Sequence, residues 1–257
     1  MKSFTAIALD GFPLIMPGDN LAETIVEVCR EDGVELEVGD VLVVAQKIFS
    51  KAENRVVNLR KVVPSGKAEE LSKVVKRNAR FVELVLRETK RILKAAREIL
   101  LVEDKRGLVC INAGIDKSNV QGRDNFALLP IDPDESAAMC RREIMELTGK
   151  SVGVVICDTY SRPFRRGQVN FAIGVAGIKS FKDYRGKKDL FGKTLKVKNV
   201  ALVDEIAAAA ELLIGQGRES TPVAVLKGLN GMVEYCENCS AKELSISGDE
   251  DLFRNAL

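Results

Sequence analysis

Four stretches of the chain carry the apolar pattern of strands. They begin near Ser3, Val41, Gly107 and Ser151 and read SFTAIALD, VLVVAQKIF, GLVCINAGID and SVGVVICD. Runs rich in β-branched residues and bounded by turn formers are typical of buried strands. The run from Val41 leads into a polar group, Gln46-Lys47 and Ser50-Lys51, and the last two runs end in Asp116 and Asp158. The strand ends are therefore where we expect side chains with chemical roles.

Helical spacing of apolar residues predicts helices between these strands. A helix reading LAETIVEVCRED follows a capping residue at Asp19 or Asn20 and stops at Gly33. The dense Lys, Arg, Glu and Leu pattern from Gly66 to Val102 predicts two helices, the second of which reads ARFVELVLRETKRILKAAREIL. Two further helices run from about residue 135 to 147 and through VALVDEIAAAAELLI, which is followed by a stop at Gly215.

These elements predict a protein of the α+β class, with mixed α and β structure in two subdomains. The composition changes between residues 161 and 200, where glycines alternate with Phe and Lys and no long helical period is present. We interpret residues 161–200 as an inserted Gly/Lys-rich subdomain. Residues 1–160 and 201–257 would then form a core that binds nucleotide and metal.

The most restrictive fact of composition is that the 257 residues include no histidine. Ser-His-Asp and Cys-His nucleophile systems, His-ligated zinc and imidazole bases are therefore excluded within one subunit. Chemistry must use carboxylates, amides, hydroxyls, Lys and Arg, which favours reactions in which a hard cation stabilises charge.

The overall charge and hydropathy predict a soluble globular protein. The formal net charge is only +2, and neither aromatic interleaving nor a known motif accompanies the charge of the Lys- and Arg-rich helices, so nucleic-acid binding is not favoured. We found no apolar run of transmembrane length and no cleavable leader, and we expect no membrane partner.

The cysteines favour a reducing compartment, and so a cytoplasmic location. Cys110 and Cys157 lie in apolar strand-like runs, where a thiol is usually a small core residue. Cys236 and Cys239 form a single CxxC, for which a metal or redox role and a plain pair of loop thiols both stay open, because structural zinc normally takes four ligands.

Two strand-end acids form the main candidate site. Asp116 is followed by Asn119, and Asp158 by Thr159, and these oxygen-bearing side chains suit Mg²⁺ or Mn²⁺. The alternative is that each Asp caps a turn, which is the commonest duty of strand-end Asp residues. The basic loop after Asp158 could bind phosphate or carboxylate groups through forked hydrogen bonds. Its arginines are Arg162, Arg165 and Arg166.

Two other segments could contact a phosphorylated ligand. Lys47 and Lys51 could neutralise phosphate charge, although either could equally be a solvent-facing residue. The turn Gly215-Gln216-Gly217 could let the backbone approach a ligand, and a helix C-cap explains it equally well.

Several long blocks of the sequence resemble the coenzyme F420-0 γ-glutamyl ligases. They run in order through nearly the whole chain and include DGFPL, FSKAEN, AGIDKSNV, GVVICDTYSRPFRRGQVNFAIGVAGIK, DYRGKKDLFGK and VDEIAAAAELLIGQG. The resemblance implies the fold of that family. It also implies a cytoplasmic homodimer that uses GTP, two sites for Mg²⁺ or Mn²⁺, and K⁺. Such an enzyme adds L-glutamate to the deazaflavin precursor F420-0, first as an amide and then through a γ-linkage, by way of an acyl phosphate.

The resemblance also assigns site residues. Those matching the divalent-metal positions are Asp116, Asp158, Thr159 and Gln216. Those matching the nucleotide contacts are Gly11, Phe12, Pro13, Leu14, Gln46, Lys47, Lys51, Asn119, Ile214, Gly215, Gln216, Gly217, Arg218, Glu219, Ser220 and Thr221. Those expected to stabilise the transferring phosphoryl group are Lys51, Arg165 and Arg166.

The chain departs from the family pattern at a few positions. Gln216 stands where some members have an acid, and a neutral oxygen ligand would hold the second metal less tightly. Gln46 and Lys47 stand where small hydroxyl residues can occur, which leaves the choice between GTP and ATP open. A ligase acting on another carboxylate acceptor, and a nucleotide-binding regulatory protein without catalysis, are the remaining alternatives.

Overall fold

A computed structural model describes residues 2–251. The predicted α+β class is confirmed, with mixed sheets and helices throughout. The helices are α1 (Leu21–Glu31), α2 (Gln46–Ala52), α3 (Gly66–Val75), α4 (Ala79–Glu88), α5 (Pro133–Thr148) and α6 (Leu202–Ile214). The strands are β1 (Thr5–Ala8), β2 (Val41–Ala45), β3 (Val56–Asn58), β4 (Thr89–Ala96), β5 (Ile99–Asp104), β6 (Val109–Ile111), β7 (Asn125–Ala127), β8 (Gly153–Ser161), β9 (Gln168–Ala176), β10 (Phe181–Asp183), β11 (Asn199–Ala201) and β12 (Val223–Lys227).

The chain forms two compact units. The first comprises the residues up to Ile15 together with Asp19–Ile48 and Pro133–Leu244. The second comprises Met16–Gly18, Phe49–Asp132 and the described residues from Ser245 onward. Residues 161–200 fall within the first unit, and their role as an inserted subdomain stays a prediction.

The first unit is built on a five-stranded sheet of order β1-β12-β2-β8-β9. Strands β2 and β8 are parallel, while the other neighbouring pairs are antiparallel. Helix α6 packs on one face over Val43, Val155 and Cys157. The alternating residues of β2 and β8 face the opposite side, where α5 packs, and the central strands are therefore covered on both faces.

The second unit holds two small sheets, β3-β7 and β4-β5-β6, with α3 and α4. Helix α4 buries Phe81, Val82, Leu84 and Val85, and Asn78 caps its first turn. A buried ion network stabilises this unit. Asp104, with 0% of its surface exposed, pairs with Arg106 at 2.7 Å.

The long second helix predicted from Ala79 is wrong beyond Glu88. The chain turns into the hairpin β4-β5, whose two-residue turn, Arg97-Glu98, has positive φ at both positions. The helix propensity of the Lys, Arg, Glu and Leu residues is overridden because β5 pairs with β4 and β6, which buries Leu100 and Val102. Tertiary burial of alternating residues outweighs local helix propensity here.

Two predicted strands are shorter than their apolar runs. The run from Val41 stays extended only to Ala45, and Gln46 begins α2. The run ending in Asp116 is a strand only over Val109–Ile111 and continues in a short 3-10 turn, Asn112–Gly114. Asp116 itself is joined to Ala127 by an isolated antiparallel bridge. Periodicity does not separate a strand from an apolar helix start or tight turn that follows it directly.

The remaining predicted elements are confirmed. Asn20 caps α1 through its side chain, α5 contains the helix expected near residues 135–147, and α6 ends at Gly215. Within residues 2–251, no helix is long and apolar enough to cross a membrane.

The six cysteines fall into two groups. Cys236 and Cys239 are joined as a disulfide, and Cys29, Cys110, Cys140 and Cys157 are buried free thiols. Burial raises the pKa of the Cys140 thiol to about 12, which suits an unreactive core residue.

Candidate functional site

The carboxyl end of β8 carries the first pair of predicted metal ligands. Successive side chains of a strand point to opposite faces, so Asp158 and Thr159 diverge there. Thr159 shares the α6 face with Cys157, which belongs to the core beneath that helix. Asp158 lies on the other face, where its carboxylate accepts a hydrogen bond from the Gln46 side chain at 3.5 Å. The two residues can therefore serve two different ions.

Thr159 is hydrogen-bonded to a closed ring of polar side chains formed by Asn170, Gln216 and Glu211. Asn170 lies directly opposite on β9 and its Oδ1 accepts from the Thr159 hydroxyl at 3.2 Å. The same Asn170 oxygen accepts from Gln216 Nε2 at 3.4 Å. Glu211 completes the ring, because Gln216 Nε2 donates to one of its carboxylate oxygens at 2.5 Å and Asn170 Nδ2 donates to the other. Thr159 and Gln216 thus contact one common oxygen atom.

The charge in this network is negative. Burial is the main cause that raises the pKa of the Glu211 carboxyl, and the Glu219 carboxylate raises it further, while the hydrogen bond from Gln216 lowers it. Within residues 2–251, the ion pairs involve neither Glu211 nor Glu219. Acids surrounded by amides rather than by Lys or Arg favour the approach of a cation.

The turn after α6 is shaped by two glycines. Gly215 has φ of 66° and its N–H still bonds to Glu211 in the last turn of the helix. A Cβ at Gly215 would collide with the Glu219 side chain, and the Gly217 N–H donates to Glu219 Oε2 at 2.6 Å. Thr221 closes the turn by donating to the Leu213 carbonyl at 3.0 Å. The segment from Ile214 to Thr221, which contains Gln216, is therefore a largely exposed turn held together by its own hydrogen bonds.

Other predicted nucleotide contacts lie in the loop after β1 and on α2. Gly11, with φ of 69°, begins an exposed loop after β1 in which Leu14 is 81% exposed. Gln46 is buried and begins α2, while Lys47 follows it on the same helix. Lys51 stands one turn after Lys47 and so shares its helix face.

The arginines of the β8-β9 loop differ from one another. Arg162 is half-buried and braces the loop by donating from Nη2 to the Arg166 carbonyl at 3.2 Å. Arg165 and Arg166 present exposed side chains, which leaves their guanidinium groups accessible to an anionic ligand.

Asp116 and Asn119 lie in a tight turn of the second unit. The Asp116 carboxylate accepts from the N–H groups of Lys117 at 2.6 Å and Ser118 at 3.1 Å, and from the Ser118 hydroxyl. Asn119 is exposed and has φ of 52°. Asp116 therefore does cap its own turn, and its role in binding metal stays a prediction.

The donor set fits a hard divalent cation. Asp158, Thr159 and Gln216 supply carboxylate, hydroxyl and amide oxygens, the ligands that Mg²⁺ and Mn²⁺ prefer. The described part of the chain holds no group of three or more His, Cys, Asp or Glu side chains that could bind a metal by themselves. An ion here would use neutral oxygen ligands as well as carboxylate, with water or ligand phosphates completing its coordination, as is usual for Mg²⁺.

Sequence reasoning missed Asn170 and Glu211. Glu211 carried a signal, because it stands in the last turn of α6, where no basic residue balances it and the helix dipole disfavours an anion. An acid kept at such a position indicates a partner elsewhere in the fold. Asn170 carried no signal that could be read before the register of β8 and β9 was known.

Comparison with known proteins agrees with the resemblance. The family model for F420-0:Gamma-glutamyl ligase matches residues 11–228. A curated coenzyme F420:L-glutamate ligase from Archaeoglobus fulgidus is 46% identical over 249 residues, covering 97% of this chain and 96% of that relative. Relatives of the same name from Methanocaldococcus jannaschii and Methanopyrus kandleri are each 40% identical, covering 95% and 99% of this chain and 94% and 100% of their own lengths. This chain therefore belongs to the F420-0:gamma-glutamyl ligase family.

Proposed function

We propose that the protein is a ligase that uses GTP to join L-glutamate to coenzyme F420-0, and then joins a second glutamate through the γ-carboxylate of the first. Its family membership and the name shared by its relatives support the substrate assignment. The observation that carries the chemistry is the set of oxygen donors at the carboxyl end of β8, Asp158 and Thr159, with Gln216 held beside Thr159.

The proposed reaction has two steps. A carboxylate oxygen of the acceptor attacks the γ-phosphorus of GTP; the bond from that phosphorus to the β-phosphate oxygen breaks, and an acyl phosphate and GDP result. The glutamate amine then attacks the acyl carbon, the carbon–oxygen bond to phosphate breaks, and the amine gives up a proton as the amide forms. Neither step requires histidine, which the chain lacks.

The protein's own groups would bind the anions and the ions. Bound Mg²⁺ or Mn²⁺ would supply positive charge to the triphosphate oxygens. Asp158 would hold one ion, and Thr159 with Gln216 would hold the other. Asp116 is a further metal ligand in this proposal. Lys51, Arg165 and Arg166 would stabilise the negative charge spread over the transferring phosphoryl group.

Nucleotide binding is assigned to three segments and to two single residues. They are the loop 11–14, the first turn of α2 at Gln46 and Lys47, the turn 214–221, and Lys51 and Asn119. Gly11 has positive φ in an exposed loop and would let the backbone there come close to phosphate. The requirement for K⁺, the homodimer and the cytoplasmic location belong to the same proposal.

Mass spectrometry of products tests the proposal directly. Purified protein with GTP, Mn²⁺, K⁺, L-glutamate and F420-0 is expected to yield the mono- and diglutamyl products together with GDP. ATP in place of GTP is expected to give less product. Product formed only with a different carboxylate acceptor would support a related ligase instead. Nucleotide binding without hydrolysis or ligation for any acceptor would overturn the enzyme assignment.

A further inference from the structure

The amide of Gln216 can serve as a metal ligand only in one of its two orientations. An amide presents an oxygen on one side and an NH₂ group on the other, and only the oxygen can bind a cation. A 180° rotation of the side-chain amide would direct two N–H groups at the ion and would abolish binding. Something in the protein must therefore select the orientation.

Glu211 provides that selection. An ionised carboxylate can only accept hydrogen bonds, so the group that Gln216 directs at Glu211 Oε1, 2.5 Å away, must be its NH₂. The second N–H of the same group is taken by Asn170 Oδ1 at 3.4 Å. Both N–H groups are then occupied inside the network, and the amide oxygen of Gln216 is left outside it.

The same carboxylate orients Asn170. Its Nδ2 donates to Glu211 Oε2 and to the Cys157 sulfur at 3.4 Å, which leaves Oδ1 to face Thr159. Because Oδ1 can only accept, Thr159 must donate its hydroxyl proton to it at 3.2 Å. The lone pairs of the Thr159 hydroxyl are then free for a cation.

We infer that Glu211 is a positioning residue that, directly and through Asn170, fixes the oxygen of Gln216 and the hydroxyl of Thr159 in the orientation that binds a divalent cation. The inference rests on the proposed function for the use of an ion at Thr159 and Gln216. Glu211 itself touches neither the ion nor the substrates in this scheme. It acts on two neutral ligands, on Gln216 directly and on Thr159 through Asn170.

Mn²⁺ binding to the nucleotide-free protein tests this inference without reference to turnover. The free-ion paramagnetic resonance signal is measured during titration with Mn²⁺ alone. The change Glu211→Gln keeps the shape of the side chain and lets it donate or accept at either position. We expect the affinity for one Mn²⁺ ion to fall about 10- to 100-fold, the usual effect of losing a residue that orients metal ligands. The thermal midpoint of the ion-free protein should stay unchanged.

Two further variants separate positioning from a general loss of charge. Glu205→Gln removes the same charge from an exposed site on the same helix, and its Mn²⁺ affinity should equal that of the wild type. The double change Glu211→Gln with Gln216→Glu exchanges the two groups. The amide at position 211 can then donate to an acid that offers oxygen on both sides, so Mn²⁺ affinity should recover above that of the single variant.

The outcomes are distinguishable. Wild-type affinity in Glu211→Gln, or no recovery in the double variant, would overturn the role of Glu211 while leaving the ligase proposal in place. Failure of the wild-type protein to bind any Mn²⁺ would instead contradict the metal use on which the proposed function depends.

Discussion

Both units contain acidic side chains that are partly or fully buried: Glu88 and Asp104 in the second unit and Glu211 in the first. The partners of these acids differ. In the second unit, Glu88 pairs with Arg55 at 2.7 Å and Asp104 pairs with Arg106 at 2.7 Å. In the first unit, Glu211 is held by the amides of Asn170 and Gln216. An acid paired with arginine is electrostatically complete and serves the fold, whereas an acid among amides still favours a cation.

The comparison indicates which acids to assign to structure and which to function. Asp104 also accepts the N–H groups of Arg106 and Leu108, both at 2.9 Å, so its carboxylate is satisfied by the protein itself. Removing such a group leaves buried donors without acceptors. Removing Asp158 or Glu211 at the candidate site should leave the fold intact and change what the protein binds. Three substitutions test this division.

The largest effect is expected for Asp158→Asn. Losing one charged oxygen at the proposed ion site should reduce turnover on the order of a thousandfold, because charge stabilisation of the transferring phosphoryl group would be lost. The free energy of unfolding should stay close to the wild-type value. Steady-state kinetics and urea denaturation measure the two quantities. Asp183→Asn, which removes an exposed acid paired with Arg185, is the matched control and should keep full turnover. Near-normal turnover in Asp158→Asn would remove the metal assignment.

The second effect concerns stability. Asp104→Ala should lower the free energy of unfolding by about 3 to 4 kcal/mol, because the buried Arg106 would lose its 2.7 Å partner and the N–H groups of Arg106 and Leu108 would lose their acceptor. Asp124→Ala in the same unit breaks a pair with Arg60, whose side chain is 75% exposed, and should cost less than about 1 kcal/mol. Urea denaturation measures both variants. Equal losses in their free energies of unfolding would show that burial of the ion network does not add to stability.

The smallest effect is expected for Glu219→Gln. Burial is the main cause of the raised pKa of the Glu211 carboxyl, and the Glu219 charge raises that pKa further. Removing the Glu219 charge should therefore lower the pH at which Glu211 titrates, as followed by nuclear magnetic resonance of the side chain. When folding raises the pKa of an acid, the folded protein becomes less stable as pH rises through that pKa. At neutral pH the variant should therefore be as stable as the wild type or more stable by up to about 0.5 kcal/mol. A loss of stability would contradict the view that this acid serves function.

The sequence predicted the elements whose pattern is local. The runs of β2 and β8, the cap at Asn20 and the stop of α6 at Gly215 each depend on residues close together in the chain. The hairpin after Glu88 escaped prediction because its residues favour a helix by themselves. Pairing of β5 with β4 and β6, together with burial of Leu100 and Val102, decided its structure.

The residues of the candidate site also fall into those that the sequence revealed and those that it did not. Asp158 and Thr159 could be found from their place at the end of an apolar run. Asn170 and Glu211 could not, since Asn170 lies opposite Thr159 only through the register of β9, and Glu211 reaches both Asn170 and Gln216 only when α6 packs over that strand.

The sequence by itself determined the class of the fold, the exclusion of histidine chemistry and the oxygen-bearing residues available to a cation. These properties follow from residue types and from patterns a few residues long. Only the tertiary structure decided which amide oxygens and hydroxyl lone pairs stay outside the network. Glu211 sets their orientation, and it lies 41 residues after Asn170 in the chain, so the two residues meet only in the folded protein. Hydrogen-bond polarity is set by neighbours in space, and strand register and helix packing bring those neighbours together.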